Sequence, residues 1–328
     1  VKRLFSGIQP SGELHIGNFL GAIRNWVALQ DEFECIYSVV DYHAITQPYE
    51  REQMRARVLD AAKWILACGV DPERATLFVQ SDVPEHTELA WILGSVTPMG
   101  DLQRMTQFKE KSEQHESVNS GLFTYPVLQA ADIVLYKAEV VPVGEDQVQH
   151  LELAREIVRH FNHRHGHVFP EPQARIGKAR RILGLDGQHK MSKSRGNTIA
   201  LSEDTASVMG KLAPAVTDVN RKRLKDPGDP EQCNVFALHG HLSPPEVVDE
   251  VANACRTAAR GCLDCKKILH GHMMSTLAPI QARAAELDAQ PGRVREVLDA
   301  GAQRCRAIAR ETLREVRDRL GLDWRAAP

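Results

Sequence analysis

The sequence predicts an α/β protein, with a doubly wound parallel sheet first and an all-helical region after it. Three observations carry this. Short apolar runs of strand length alternate with stretches of helical period over roughly the first half of the chain. From Ser202 onward the pattern is almost entirely helical. Between the two lies a break, Pro170 to Asn197, rich in Gly, Pro, Lys and Arg, which reads as a mobile linker holding a functional loop.

Leu4 to Ile8 is the first strand, stopped by the turn residues Gln9-Pro10-Ser11-Gly12. Ile16 to Leu29 places Ile16, Phe19, Leu20, Ile23, Trp26 and Val27 at helical spacing. Cys35 to Val40 reads as a buried strand, Met54 to Cys68 as a helix with Gly69 as its stop, and Ala75 to Gln80 as a strand. His86 to Leu93 and Tyr125 to Tyr136 read as helices, Val140 to Val143 as a strand, and Glu145 to Phe161 as a helix. Val294 to Leu320 is a long amphipathic helix whose stripe Val294, Val297, Leu298 allows it to pack back on the sheet. Ligands of such sheets sit at the carboxyl ends of the strands. The loops to watch are therefore Gly7 to Asn18, Asp41 to Gln47, Ser81 to His86 and Gly144 to Gln147.

Composition narrows the function classes. With 41 Lys plus Arg against 43 Asp plus Glu, global charge does not attract nucleic acid, so any RNA contact needs a local basic face. Arg221-Lys222-Arg223, Lys225, Lys266 and Lys267 are candidates, with a solvated charged face as the alternative. Val1 to Phe5 carry no apolar signal region and no run reaches membrane length, so the expected location is the cytoplasm. Thiols stay reduced there, so the seven cysteines read as buried residues, ligands or reactive groups rather than disulfides.

Two short motifs point to nucleotide chemistry. His15-Ile16-Gly17-Asn18 follows a strand and a turn and opens a helix, where unpaired N–H groups favour an anion. Gly17 would let a purine approach the backbone. Alone, the four residues fit an incidental helical turn equally well. Lys190-Met191-Ser192-Lys193-Ser194 sets two ammonium groups three residues apart in a glycine-flanked loop, able to close on a triphosphate in the transition state. Its bland reading is a solvated basic loop.

Together, in this order and around a parallel-sheet pattern, they resemble the two signatures of the class I aminoacyl-tRNA synthetases, with Asn18 in place of the second histidine. Asn18 can still donate but cannot titrate. Further segments resemble the bacterial tryptophanyl-tRNA synthetases: Ser6 to Gly12, Asp41 to Thr46, Val79-Gln80-Ser81, Arg104 to Lys109, Tyr125-Pro126-Val127, Ala130 to Ile133 and Val141 to Gln147.

The resemblance implies a Rossmann-like catalytic domain over residues 1–190. A loop and helical anticodon-recognition domain would follow over 191–292, and a helix over 293–328 would return to the catalytic domain. It implies a tryptophan–tRNA ligase: L-tryptophan and MgATP give the adenylate and pyrophosphate, and tRNA(Trp) then takes the amino acid and releases AMP. Partners would be L-tryptophan, ATP, tRNA(Trp) and a second copy in a homodimer, with neither DNA nor membrane. ATP would touch Gln9, Pro10, Ser11, Gly17, Asn18, Gly144, Glu145, Asp146, Ile182, Lys190, Met191, Ser192, Lys193 and Ser194. The catalytic set would be His15, Asn18, Lys111, Lys190 and Lys193. Phe5, His43, Tyr125, Gln129, Asp132, Ile133, Val141, Val143 and Gln147 would hold tryptophan, with Asp132 accepting the indole N–H. An acid on so apolar a helix needs a partner, and a structural Arg or Lys is the alternative. Gln129 stands where bacterial members carry Met, which leaves a tyrosine pocket open, since the tyrosine enzymes are the nearest relatives.

Cys233, Cys255, Cys262 and Cys265 can hold zinc or a [4Fe–4S] cluster by their donor type. The resemblance to a cluster-bearing subset of these enzymes favours iron–sulfur, though the first gap is one residue short. Cys35, Cys68 and Cys305 read as ordinary buried residues. The rival classes are a small-molecule adenylyltransferase, which needs no helical half with cysteine ligands, and an iron–sulfur RNA-binding protein with an inactive core.

Overall fold

The computed structural model describes residues 1–106, 119–144, 147–176 and 182–323. Its sheet has five strands, β1 (Arg3–Ile8), β2 (Glu34–Val39), β3 (Ala75–Val79), β4 (Val140–Val143) and β5 (Gln173–Ile176), in the order β3-β2-β1-β4-β5. All four pairings are parallel. The order reverses between β1 and β4, and this switch point opens a crevice at the strand ends.

The expected strands are present within a residue or so, and β5 is the correction. It lies in the stretch read as a linker. Its sequence, Gln-Ala-Arg-Ile, has no strand pattern of its own; the β4 backbone recruits it, Val140 opposite Gln173 through Val143 opposite Ile176. Its charged Arg175 pairs with Glu32 at 2.8 Å and lies over the Phe33 ring, as suits an edge strand.

The helix after β1 runs as α1 (Ile16–Asn18), a π-type turn (Phe19–Ile23) and α2 (Arg24–Leu29), burying the expected stripe. A short α3 (Asp41–Ala44) follows β2, and α4 (Arg51–Ala67) ends at Gly69, whose φ of +111° favours glycine. Helices α5 (Glu85–Gly94) and α6 (Met99–Gln103) follow β3. Then α7 (Ser120–Val134) begins earlier than Tyr125, because Asn119 caps it by accepting from the Leu122 N–H. After β4 comes α8 (Val148–His165). The helical region holds α9 (Thr205–Leu212), α10 (Asn234–Leu242), α11 (Pro245–Arg256), α12 (Cys262–Asp288) and α13 (Arg293–Arg319). No described helix is long and apolar enough to cross a membrane.

Strand alternation splits the core into two layers. Leu4, Tyr37, Val39, Leu77 and Val79 face a layer shared with α2, α4 and α12. Phe5, Ile36, Phe78, Val141 and Val143 face the other, with α5, α7 and α8. Helix α13 joins both: Val294, Val297 and Leu298 belong to the first, and Ala302, Cys305, Ala309, Leu313 and Val316 to the second. It crosses β3 at Gly301, where a Cβ would stand 2.0 Å from the Leu77 carbonyl oxygen. The close approach covers what would otherwise be an open sheet edge.

Candidate active site

The strand ends place one polar cleft of about 550 Å3 beside the loop after β1. Gln9, Pro10, Ser11, His15 and Asn18 line it from one side and Met191, Ser192 and Lys193 from the other, so the fold brings the two motifs together. Backbone pairing holds them there. The Ile16 N–H donates to Ile199 O and the Leu201 N–H to Leu14 O, each at 2.9 Å. Lys193 Nζ lies 3.3 Å from Glu13, and the space over Gly17 is taken by the His15 ring and Met191 Cβ.

Residues 182–197 of the segment expected to be a mobile linker are held in place. Met191 is buried with Ile182, Leu185 and Ile199 in the first core layer. Asn197 is also buried; its Oδ1 accepts from the Ser192 N–H at 2.8 Å, and its Nδ2 donates to Asp186 at 2.9 Å and to Lys190 O at 3.3 Å. Gly184 is required beneath it, since a Cβ there would overlap the Asn197 side chain. Asn234 Nδ2 donates to Gly184 O at 2.7 Å, tying the loop to α10.

Asn18 Oδ1 accepts from the His15 backbone N–H at 3.0 Å. That bond fixes the amide orientation and leaves its NH2 group to donate. Burial, then the nearby Lys190 ammonium, pushes His15 down to about 4, so its imidazole is neutral at pH 7. Lys190 and Ile182 sit in the hairpin itself, Lys190 bridging Leu183 and Ile182 O accepting from the Met191 N–H. Gly144 accepts from the Gln147 N–H after β4. Lys111, Glu145 and Asp146 lie outside the described residues, as does the side chain of Ser194.

A second group of the expected residues gathers near the switch point. Tyr125, Gln129, Asp132 and Ile133 share one face of α7, spaced at helical intervals. Ile133 shares the second core layer with Phe5 on β1 and Val141 and Val143 on β4. Asp132, 1% exposed, is the one carboxylate in this apolar wall. Its partners are not the Arg or Lys that a lone acid suggests. Oδ2 meets His43 Nε2 at 2.7 Å, and Oδ1 accepts from Gln80 Nε2 and meets His86 Nδ1, both at 2.7 Å. Burial opposes its charge, but His43 and His86 outweigh burial and hold the carboxyl down at about 2. Tyr125 bonds His150 at 2.6 Å. The Gln129 amide points at Gln147 Oε1, 3.5 Å away, a long contact.

Gln80, at the end of the expected strand Ala75 to Gln80, and His86, in the expected loop after it, were given no role by the sequence. Gln80 is wholly buried; its Oε1 accepts from the Tyr42 N–H at 3.0 Å while its amide bonds Asp132, so both ends are fixed. Two polar residues at the end of β3 were the available signal, but their meeting with Asp132 requires the fold.

Cys233, Cys255, Cys262 and Cys265 line one small cavity of about 20 Å3 with Arg221 and Arg260. Arg221 Nη1 lies 4.0 Å from Cys255 Sγ and 3.9 Å from Cys262 Sγ. Burial first, then the other three cysteines, pushes the Cys265 thiol up to about 12. Among the described residues, no three His, Cys, Asp or Glu side chains are arranged to hold a single metal ion. Cys35, Cys68 and Cys305 are buried elsewhere, as expected.

Two of the basic residues offered for RNA are not available to it. Lys266 is buried and donates to Ala213 O and Ala215 O at 2.7 and 2.6 Å, and Arg221 donates to Leu224 O and Arg260 O. Lys222, Arg223 and Lys225 remain exposed.

Residues 2–278 match the family described as tRNA synthetases class I (W and Y). The chain is 52% identical to a tryptophan–tRNA ligase of Deinococcus radiodurans, covering 98% of this chain and 99% of that one. It is 43% identical, at the same coverage, to a tryptophan–tRNA ligase of Thermotoga maritima. The crystal structure of tryptophanyl-tRNA synthetase from Campylobacter jejuni, complexed with ADP and tryptophan, is similar with a TM-score of 0.86 and 36% identity, covering 97% of this chain and 99% of that one. The chain belongs to the class I tRNA synthetases of the tryptophan and tyrosine group.

Proposed function

We propose that the chain is a tryptophan–tRNA ligase, which activates L-tryptophan with MgATP and esterifies the 3′ end of tRNA(Trp). The observation that carries the choice of amino acid is Asp132, an ionised carboxylate buried in an apolar wall. An indole asks for a wide apolar slot and one acceptor for its single N–H. A carboxylate offers about four lone-pair sites, and three of those on Asp132 are taken by protein donors. The fourth would receive the indole N–H, while Phe5, Ile133, Val141 and Val143 cover the ring faces and Tyr125 and Gln147 take the ammonium group.

The substrate carboxylate is already nucleophilic, so the reaction needs positioning and charge stabilisation rather than a protein nucleophile. In-line attack on the α-phosphorus expels pyrophosphate. Lys193, Lys190 and Lys111 would stabilise charge developing on the leaving group, with His15 and Asn18 donating to phosphate oxygens as neutral groups. Mg2+ would be held mainly by phosphates and water. ATP–pyrophosphate exchange tests this reading: strong exchange with tryptophan and little with tyrosine is expected, and preference for tyrosine overturns it.

We also infer that residues 191–292 recognise the tRNA anticodon and that the four cysteines there hold a [4Fe–4S] cluster. What supports this is that all four thiols line one cavity and that Arg221 can donate toward two of the sulfurs, with iron–sulfur preferred over zinc by family resemblance. Anaerobically purified protein should then be brown, with about four iron atoms per chain; stoichiometric zinc without iron refutes this. The highly exposed Trp91 on α5 and Met99 on α6 support a homodimer, and the tRNA substrate a cytoplasmic location.

A further inference from the structure

Asp132 is held by a chain of buried groups that continues well past the substrate slot. His86, on α5, has no exposed surface and lies between two partners: Nδ1 to Asp132 Oδ1 at 2.7 Å, and Nε2 to the Tyr136 hydroxyl at 2.6 Å. Its ring stacks on Phe78 at 5.8 Å. Tyr136 is wholly buried too, in the core layer that also holds Cys305 of α13. The bonding is directional. An ionised carboxylate only accepts, so His86 Nδ1 donates to it, and Nε2 is left to pair with the Tyr136 hydroxyl.

The consequence falls on Asp132. Oδ1 receives Gln80 and His86 and is saturated, while Oδ2 receives only His43 and keeps one lone pair. The carboxylate therefore has a fixed rotation and a single open direction. We propose that His86, fixed by Tyr136, is a positioning residue for amino-acid selection, leaving Oδ2 as the sole acceptor for the indole N–H. This rests on the reading that Asp132 accepts that N–H. Without His86 the carboxylate would turn and offer an unsaturated Oδ1 as well, and the substrate N–H would lose its pre-set acceptor.

The test compares tryptophan with its isostere carrying sulfur in place of the ring nitrogen, which has no N–H. A hydrogen bond to a charged group is worth a discrimination of about 10- to 100-fold in kcat/KM for exchange by the wild-type chain. His86→Ala should bring that ratio to within about threefold of unity with the KM for ATP unchanged. His86→Asn, which offers an amide N–H near the same place, should recover part of it. Tyr136→Phe should lower the ratio less, and it carries the test if His86→Ala does not fold. A wild-type ratio retained in both folded variants, with slower turnover alike for both substrates, means a structural role only and overturns the inference. No discrimination by the wild-type chain overturns the reading of Asp132 itself, and the inference with it.

Discussion

Gly301 decides whether α13 is seated on the sheet, and the sign of one substitution reads it. In a free helix Gly→Ala stabilises by about 1 kcal/mol. Here the added Cβ would stand 2.0 Å from Leu77 O, 2.8 Å from Leu77 C and 3.3 Å from Phe78 Cβ. The first two atoms are backbone of β3, so no flexible side chain can yield. Helix and strand must part by roughly 1 Å, which pulls Ala302, Cys305 and Ala309 from their contacts. Overpacking costs about 1–3 kcal/mol, and a backbone-to-backbone clash belongs at the top of that range. After the helix gain, Gly301→Ala should destabilise by about 2 kcal/mol, lowering the urea midpoint by roughly 0.5–1 M. The exposed neighbour Ala300→Gly should cost only about 1 kcal/mol. Because Cys305 shares a core layer with Tyr136, Gly301→Ala should also raise the KM for tryptophan more than that for ATP. A raised midpoint at unchanged slope would refute the packing argument.

Other predictions follow from the cleft and its supports. Lys193→Ala should slow adenylate formation by about 100-fold or more in single-turnover experiments while tryptophan affinity changes little; equal losses would argue against a role in the transition state. Asn197→Ala removes the bonds from Ser192 N–H and to Asp186, so the KM for ATP should rise with tryptophan affinity intact; an unaltered KM would show that the loop is held otherwise. The Asp132 carboxyl is held below its unfolded value, so its contribution to stability is present above about pH 4 and lost as pH falls through about 2. Acid unfolding should therefore be shallower in Asp132→Asn over that window, and identical curves would count against the depressed value. With the proposed cluster in place, Cys265→Ser lowers iron content while ATP–pyrophosphate exchange stays near the wild-type rate, since the cysteine cavity contributes nothing to the cleft lining; iron content equal in the two proteins would count against the cluster.

Much of this was legible in the chain because local pattern and tertiary outcome agree. Val140–Val143 is a strand by its own composition, and the stripe from Ile16 to Trp26 buries a helix by its own spacing. The two nucleotide motifs were readable because each is contiguous, and the parallel sheet then brings them to one cleft. What could not be read depends on the partner. Gln173–Ile176 becomes a strand because β4 offers a ladder. Lys266 looked like a surface cation, yet the carbonyls after α9 bury it. Asp132 announced itself as a polar residue in an apolar helix, but Gln80 and His86 come from another strand end, 52 and 46 residues away. Asn197 likewise follows a conspicuous motif without belonging to it, and only the closed hairpin reveals the bonds that hold Ser192 and Lys190.

The most direct test of the central claim is transfer of labelled amino acid to tRNA by the whole chain with ATP. Rapid charging of tRNA(Trp) with tryptophan, negligible charging with tyrosine, and loss of charging in Lys193→Ala are expected. Tyrosine charged in preference to tryptophan, or adenylate formed without any transfer to tRNA, would contradict the claim.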